Sequence, residues 1–211
     1  MNEILNKIYR AILEGDMVAA QTESRVAVES GISGSEILNT AMIPAMSEVG
    51  CLFEKEEYFV PEMLTAARAM KAGLEIVKPL LVNSGLEPVG KIAIGTVKGD
   101  LHDIGKNLVG MMLEGAGFEI IDLGVDVAPE SFVEAVRSGA NMIGLSALLT
   151  TTMPSMETTI RAIEAAGLRG NVKIIIGGAP VTAEFARRIG ADGFASDASQ
   201  AASVATSLLT Q

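Results

Sequence analysis

His102 is the only histidine among 211 residues, and its neighbours limit what it can do. Asp100 stands two positions before it, inside the run Lys98-Gly-Asp-Leu-His-Asp-Ile-Gly-Lys-Asn107. A neutral imidazole binds a metal through one ring nitrogen. A carboxylate bonded to the other nitrogen fixes the tautomer and raises the ligand's basicity. His102 and Asp100 are thus the residue types of a metal ligand and its orienting partner. Farther along, Ser146, Leu148 and Thr150 put hydroxyls and an apolar side chain on one short segment. Gly177-Gly178 offers backbone that a ligand can approach closely. The lone cysteine, Cys51, has no partner for nucleophilic chemistry and reads as a small buried hydrophobe.

These residues need a scaffold. Residues 91–97 have the length and β-branched content of a buried strand, and a helical pattern follows through Leu108, Met111, Met112 and Leu113. His102 therefore lies where a strand ends and a helix begins, with Asp103 read as the N-cap of that helix. Strands are predicted at 91–97, 118–123, 141–146, 172–177 and 193–195. Helices are predicted at 103–116, 129–138, 153–166, 181–189 and 198–209. Such alternation implies an α/β fold with a parallel sheet covered on both faces. Five strands suggest a flavodoxin- or Rossmann-like sheet of order 2-1-3-4-5, whose switch point lies between the first and third strands. His102 follows the first strand, Ser146 ends the third and Gly177 ends the fourth. That order gathers three distant segments at one crevice. Gly105 and Gly110 fall inside a helix, where each costs about 1 kcal/mol relative to alanine. The cost makes sense if something bulky presses against the helix.

Residues 1 to about 82 contain only helical patterns; 1–88 is read as a helical bundle domain, with 89–211 as the sheet domain. Ile4, Leu5, Ile8, Ile12 and Leu13 share one helix face. Gly15 closes that helix and Asp16 caps the next, which runs through Ser30. Ser33 and Glu36 have capping-box spacing for a third helix to about Val49, which Pro44 should kink. A break is expected at Gly50, with a short helix or turn over 51–58. Pro61 suits the first turn of a last helix to about Val82. The turn-rich stretch 83–90 is the linker.

The net charge of −10 argues against a nucleic-acid partner, which favours a basic face. No apolar run reaches the roughly 20 residues of a membrane span, so no membrane association is expected. The N-terminus has no signal-peptide pattern. A single cysteine fits a reducing compartment, so a cytoplasmic location is expected.

The motif Asp100-x-His102-x-x-Gly105 resembles the cobalamin-binding signature of corrinoid proteins in which a histidine replaces the cofactor's own base below cobalt. The longer run 98–107 is similar to the version found in methionine synthase and in the corrinoid proteins of methyltransferase systems. Ser146-x-Leu148 and Gly177-Gly178 follow in the family's order. Met46-Ser-Glu-Val-Gly-Cys-Leu-Phe53 and Tyr58-Phe-Val-Pro-Glu-Met-Leu64 resemble the helical cap module of the same proteins.

The resemblance implies a cobalamin (corrinoid) cofactor with His102 on cobalt and Asp100 in relay behind it. Ser146 would extend that relay or meet the cofactor's displaced nucleotide tail. Gly99, Asp103, Ile104, Gly105, Leu148, Thr150, Gly177 and Gly178 would surround the cofactor. Phe53 and Val60 would cover the corrin's upper face; relatives often carry leucine at the latter position. The function implied is a non-catalytic methyl carrier. It accepts a methyl group on Co(I) from a substrate methyltransferase and passes it to an acceptor methyltransferase serving a coenzyme thiol or tetrahydrofolate. A reductive activating protein would be a further partner. A cobalamin-binding sensor is the main alternative, but it usually adds a DNA-binding segment. A mutase subunit generally lacks the cap. A receiver-like signalling domain wants an aspartate where Ser146 stands.

Overall fold

The computed structural model describes residues 2–83 and 88–209. Contacts divide the chain into two compact units. The first holds the N-terminal helices and the second holds the sheet, with Glu114–Gly117 grouped in the first. Of the predicted linker 83–90, residues 84–87 lie outside the described residues.

The helical unit contains α1 (Glu3–Leu13), α2 (Met17–Glu29), α3 (Gly34–Ile37), α4 (Ile43–Glu54) and α5 (Val60–Asn83). Its boundaries follow local chemistry. Gly15 takes a positive φ of 73° after α1, and the Asp16 carboxylate accepts the Ala19 N–H at the start of α2. Ser33 Oγ accepts the Glu36 N–H at the start of α3. The chain is helical without interruption from α3 into α4: it widens into one π-helical turn at Leu38–Met42, and Pro44 follows near the start of α4. A residue without an N–H is accommodated where the i→i−4 ladder is already irregular. An expectation is corrected here: the chain does not break at Gly50. It lies buried within α4 beside Ala45, Met46 and Val49, because burial of that face outweighs glycine's cost of about 1 kcal/mol. Cys51, one residue on, faces outward and is exposed rather than buried.

The second unit runs β1 (Lys91–Thr96), α6 (Ile104–Gly115), β2 (Glu119–Asp122), α7 (Pro129–Arg137), β3 (Met142–Ser146), α8 (Met153–Ala165), β4 (Lys173–Gly177), α9 (Ala183–Ile189), β5 (Gly193–Ala195) and α10 (Ala198–Leu209). The five strands are all parallel, in the order β2-β1-β3-β4-β5. Ile92, Ala93, Ile94, Ile143, Ile174 and Ile176 are buried, as strands covered on both faces require. Phe132 of α7 is fully buried and lies over Gly95, where an added Cβ would stand 2.7 Å from its ring. Burying such a side chain contributes about 1.5–3 kcal/mol.

The register fixes where the site lies. Thr96 pairs with Ser146, Ser146 with Gly177, and Gly177 with Ala195. The last residues of four strands thus form one row at the carboxyl edge of the sheet. The switch point falls between β1 and β3, where open α/β sheets bind ligands.

Candidate functional site

His102 stands on the loop between β1 and α6, and that loop is tied down along its length. Val97 N–H donates to the Ser146 carbonyl, and Asp100 N–H closes a turn onto the Val97 carbonyl. Gly99 holds that turn with φ +87°. Thr96, buried at the end of β1, donates its hydroxyl to the His102 carbonyl at 2.8 Å.

Asp100 is completely buried, whereas the His102 side chain is 52% exposed. Five donors converge on the Asp100 carboxylate. Oδ1 accepts from His102 Nδ1 at 2.7 Å and from the His102 N–H at 3.1 Å. Oδ2 accepts from the Thr152 hydroxyl at 2.7 Å and from the Leu148 and Leu149 N–H groups at 2.8 and 3.3 Å. Burial alone would raise the pKa of Asp100. The bonds from Thr152, from the His102 ring and from the His102 and Leu148 amides outweigh it and hold the carboxyl well below the usual carboxylate range. An ionised carboxylate only accepts, so the proton between the two groups sits on Nδ1. In the neutral tautomer the Nε2 lone pair is then free, and Nε2 has no hydrogen-bond partner among the described residues.

The other predicted residues fall into groups. Ser146 ends β3 in the row described above, but Thr152, not Ser146, supplies the hydroxyl at Asp100. Leu148 contributes through its backbone N–H, and its side chain is exposed. Thr150 is exposed on the same loop. Asp103 precedes α6; its carbonyl takes the Asn107 N–H and its carboxylate takes the Asn107 side-chain amide. Ile104 is 85% exposed. A Cβ at Gly105 would meet nothing within 4 Å, whereas one at Gly110 would stand 2.8 Å from Ile94 of β1. The bulk pressing on Gly110 is therefore the sheet itself, and the space beside Gly105 is open. Gly177 would crowd the Ala195 carbonyl, and Gly178, at φ +135°, lies against the Ala147 carbonyl. In the helical unit Phe53 is half-buried and Val60 is exposed, next to the more exposed Phe59.

Several residues with evident roles were not singled out by sequence. Thr152 hides in a threonine run before Pro154, where its offset from Ser146 marks no known pattern. Lys106 is buried and donates to Asp122 and to Asn107. A buried lysine is nearly always paired. Burial would raise the Asp122 pKa, but the Lys106 bond and the Gly124 N–H hold it below its ordinary value. Leu101, Leu149 and Val125 join Ile104 and Leu148 as exposed large apolar side chains. They sit on the loops, or in Ile104's case at the first residue of α6, at the carboxyl edge that carries His102.

This set fits a metal that arrives in its own macrocycle. Among the described residues, no three of His, Cys, Asp and Glu are grouped to hold a bare ion. One oriented imidazole can complete the coordination of a metal whose other positions are already filled, as proximal histidines do for haem. The exposed apolar side chains and the open space at Gly105 suit a large, flat, largely apolar ligand. Among the described residues, no helix is long and apolar enough to cross a membrane.

Comparison with known proteins agrees with this chemistry. Residues 90–203 match the model of a B12 binding domain, and residues 4–78 match a second B12 binding domain model. The chain is 44% identical over 211 residues to dimethylamine corrinoid protein 1 of Methanosarcina acetivorans, covering 98% of each chain. It is 38% identical to a corrinoid protein of Desulfitobacterium hafniense, over 98% of this chain and 97% of that one. Among solved structures, a cobalamin-binding protein from Desulfitobacterium hafniense superposes with a TM-score of 0.81 at 34% identity, over 96% and 97% of the two chains. A chain of the methanol:cobalamin methyltransferase complex of Methanosarcina barkeri superposes with a TM-score of 0.86 at 28% identity, over 99% of this chain and 80% of that one. With an imidazole aimed outward by a buried carboxylate, and this likeness over nearly its whole length, the chain belongs to the family of cobalamin-binding corrinoid proteins that serve methyltransferase systems.

Proposed function

We propose that this chain is a methyl carrier in which His102 is the protein's ligand to cobalt. The observation that supports this most is the 2.7 Å contact between His102 Nδ1 and a buried Asp100 carboxylate, which leaves Nε2 facing outward. Cobalamin, when bound, supplies a cobalt centre that takes a methyl group from one partner enzyme and yields it to another. The chain's own residues do the rest. Asp100 holds the imidazole in one tautomer and keeps a negative charge behind it. Its five donors keep that charge ionised, so the carboxylate would hold the ring in place for the metal. Gly105, Ile104, Leu148 and Thr150 are proposed cofactor contacts, with Gly99, Asp103, Ser146, Gly177 and Gly178 shaping the loops around them. Phe53 and Val60 are the proposed apolar cover of the cofactor.

Three partners follow: a substrate methyltransferase, an acceptor methyltransferase using a coenzyme thiol or tetrahydrofolate, and a reductive activating protein. A cytoplasmic location fits the single cysteine. Dimethylamine is the first donor to test, because several relatives of about 40% identity or more carry that name. The protein is loaded with cobalamin, reduced, and mixed with each candidate donor and its methyltransferase. Isotope from a labelled donor methyl group is then sought on the cofactor and, after the second enzyme is added, on the acceptor. Label on both supports the carrier. Tight cobalamin binding with no label on the cofactor for any donor favours a sensor.

A further inference from the structure

The loop after β2 holds a residue whose backbone is out of the ordinary. Asp126 has φ +53°, a left-handed conformation uncommon for residues other than glycine and best tolerated by Asn and Asp. Such residues persist where their surroundings over-determine them. Here the surroundings are three consecutive residues of the loop leading to His102. Lys98 Nζ donates to Asp126 Oδ2 at 3.0 Å. Gly99 N–H donates to Asp126 Oδ1 at 2.8 Å. Asp126 N–H donates to the Asp100 carbonyl at 2.9 Å. An isolated bridge between Val97 and Val127 brings the two loops side by side.

Asp100 is consequently held from two directions. The loop after β3 grips its carboxylate through Leu148, Leu149 and Thr152, and Asp126 grips its backbone and the turn before it. A carboxylate aims its lone pairs only as well as its Cα is placed. Without the second grip, the turn at Gly99 can rotate, and Oδ1 loses its aim at Nδ1. A free imidazole in water prefers its proton on Nε2, which is the wrong tautomer for metal binding through Nε2.

We propose that Asp126 is a positioning residue for His102: it clamps the 98–100 turn so that Asp100 presents Oδ1 to Nδ1 and keeps Nε2 available. The proposal rests on the reading of His102 as the cobalt ligand, and its test begins without the cofactor. Because His102 is the only histidine, labelling all histidine with ¹⁵N reports on this ring alone. In the cofactor-free protein at alkaline pH, the ring shifts give the ratio of the two tautomers. Asp126→Gly keeps the positive φ and removes both side-chain bonds. Asp126→Asn keeps the Gly99 acceptor and the tolerance of the left-handed region.

The wild type and Asp126→Asn should show mainly the Nδ1–H form, and Asp126→Gly should show a several-fold fall in its share. The Gly99 amide should exchange faster in Asp126→Gly. Cobalamin affinity should fall about tenfold, within the range for lost support behind a metal ligand. A folded Asp126→Gly protein with the wild-type tautomer ratio overturns the proposal, since a merely stabilising residue would lower the melting temperature and leave the ratio alone. If Asp126→Gly does not fold, Lys98→Met removes one of the three bonds without touching φ. A smaller fall in the same ratio then supports the clamp, and an unchanged ratio overturns it. The two readings fail separately. A wild-type holoprotein with no histidine nitrogen coupled to cobalt sinks the ligand reading, whereas the tautomer ratio judges the clamp.

Discussion

The buried Asp100 carboxylate collects five hydrogen-bond donors, so its charge supports the fold as well as the imidazole. Asp100→Asn keeps the size but turns an amide toward N–H and O–H groups that need an acceptor. Leaving buried groups unsatisfied costs about 1–3 kcal/mol each, and urea unfolding of the cofactor-free protein should show a loss of that order. The pH dependence has a definite sign. The Asp100 pKa is lowered in the folded protein, so its contribution is complete above the unfolded-state value of about 3.9. It is lost as pH falls from there toward the lower folded value. The wild type should therefore lose stability more steeply than Asp100→Asn as pH falls below about 4; parallel curves would mean that this carboxylate carries no such linkage. At this scale the sequence revealed the pair but not its surroundings. Asp100 and His102 stand two positions apart in the chain and carry distinctive types. Thr152 and Asp126 reach Asp100 and its turn from other loops. Neither a threonine among threonines nor an aspartate among turn residues announces such a bond.

At the scale of elements, the second unit was readable because its strands and helices alternate with clear periodicity, and a parallel sheet of five strands has few topologies. The helical unit was harder at Gly50. Local propensity favoured a break, but burial of Met42, Ala45, Met46 and Val49 carries the helix through it. Two glycines of α6, Gly105 and Gly110, separate local from ligand-driven causes. Gly110→Ala would drive a methyl group into Ile94, and such overpacking costs about 1–3 kcal/mol. Gly105→Ala meets open space and should leave stability unchanged or raise it by up to about 1 kcal/mol, yet weaken cobalamin binding. Denaturation midpoints and cobalamin titrations of the two variants check both halves. Equal losses of stability would mean that Gly105, like Gly110, answers to the fold alone.

At the scale of the whole molecule, a helical unit and a cobalamin-binding unit share one chain, and in the proposed carrier a methyl group would need guarding at rest yet remain reachable by two enzymes. Apolar side chains suit a removable cover, because they separate without leaving a buried unpaired charge. Phe53 is half-buried, so Phe53→Ala should cost less than the roughly 3–5 kcal/mol of a fully buried phenylalanine. Cobalamin binding should survive, while light should strip the methyl group from the holoprotein faster than from the wild type. An unchanged lifetime under light would return Phe53 to bundle packing. All of this depends on one proposed bond, from His102 to cobalt, and the sequence supplies an unusual probe of it. Because no other histidine exists in the chain, protein grown on ¹⁵N-histidine carries the label at that ring alone. In the EPR spectrum of the Co(II) holoprotein, an axial ¹⁴N ligand splits each cobalt line into three and an axial ¹⁵N ligand into two. Doublets in the labelled protein are the predicted result. Triplets that persist after labelling would place some other nitrogen on cobalt and contradict the account.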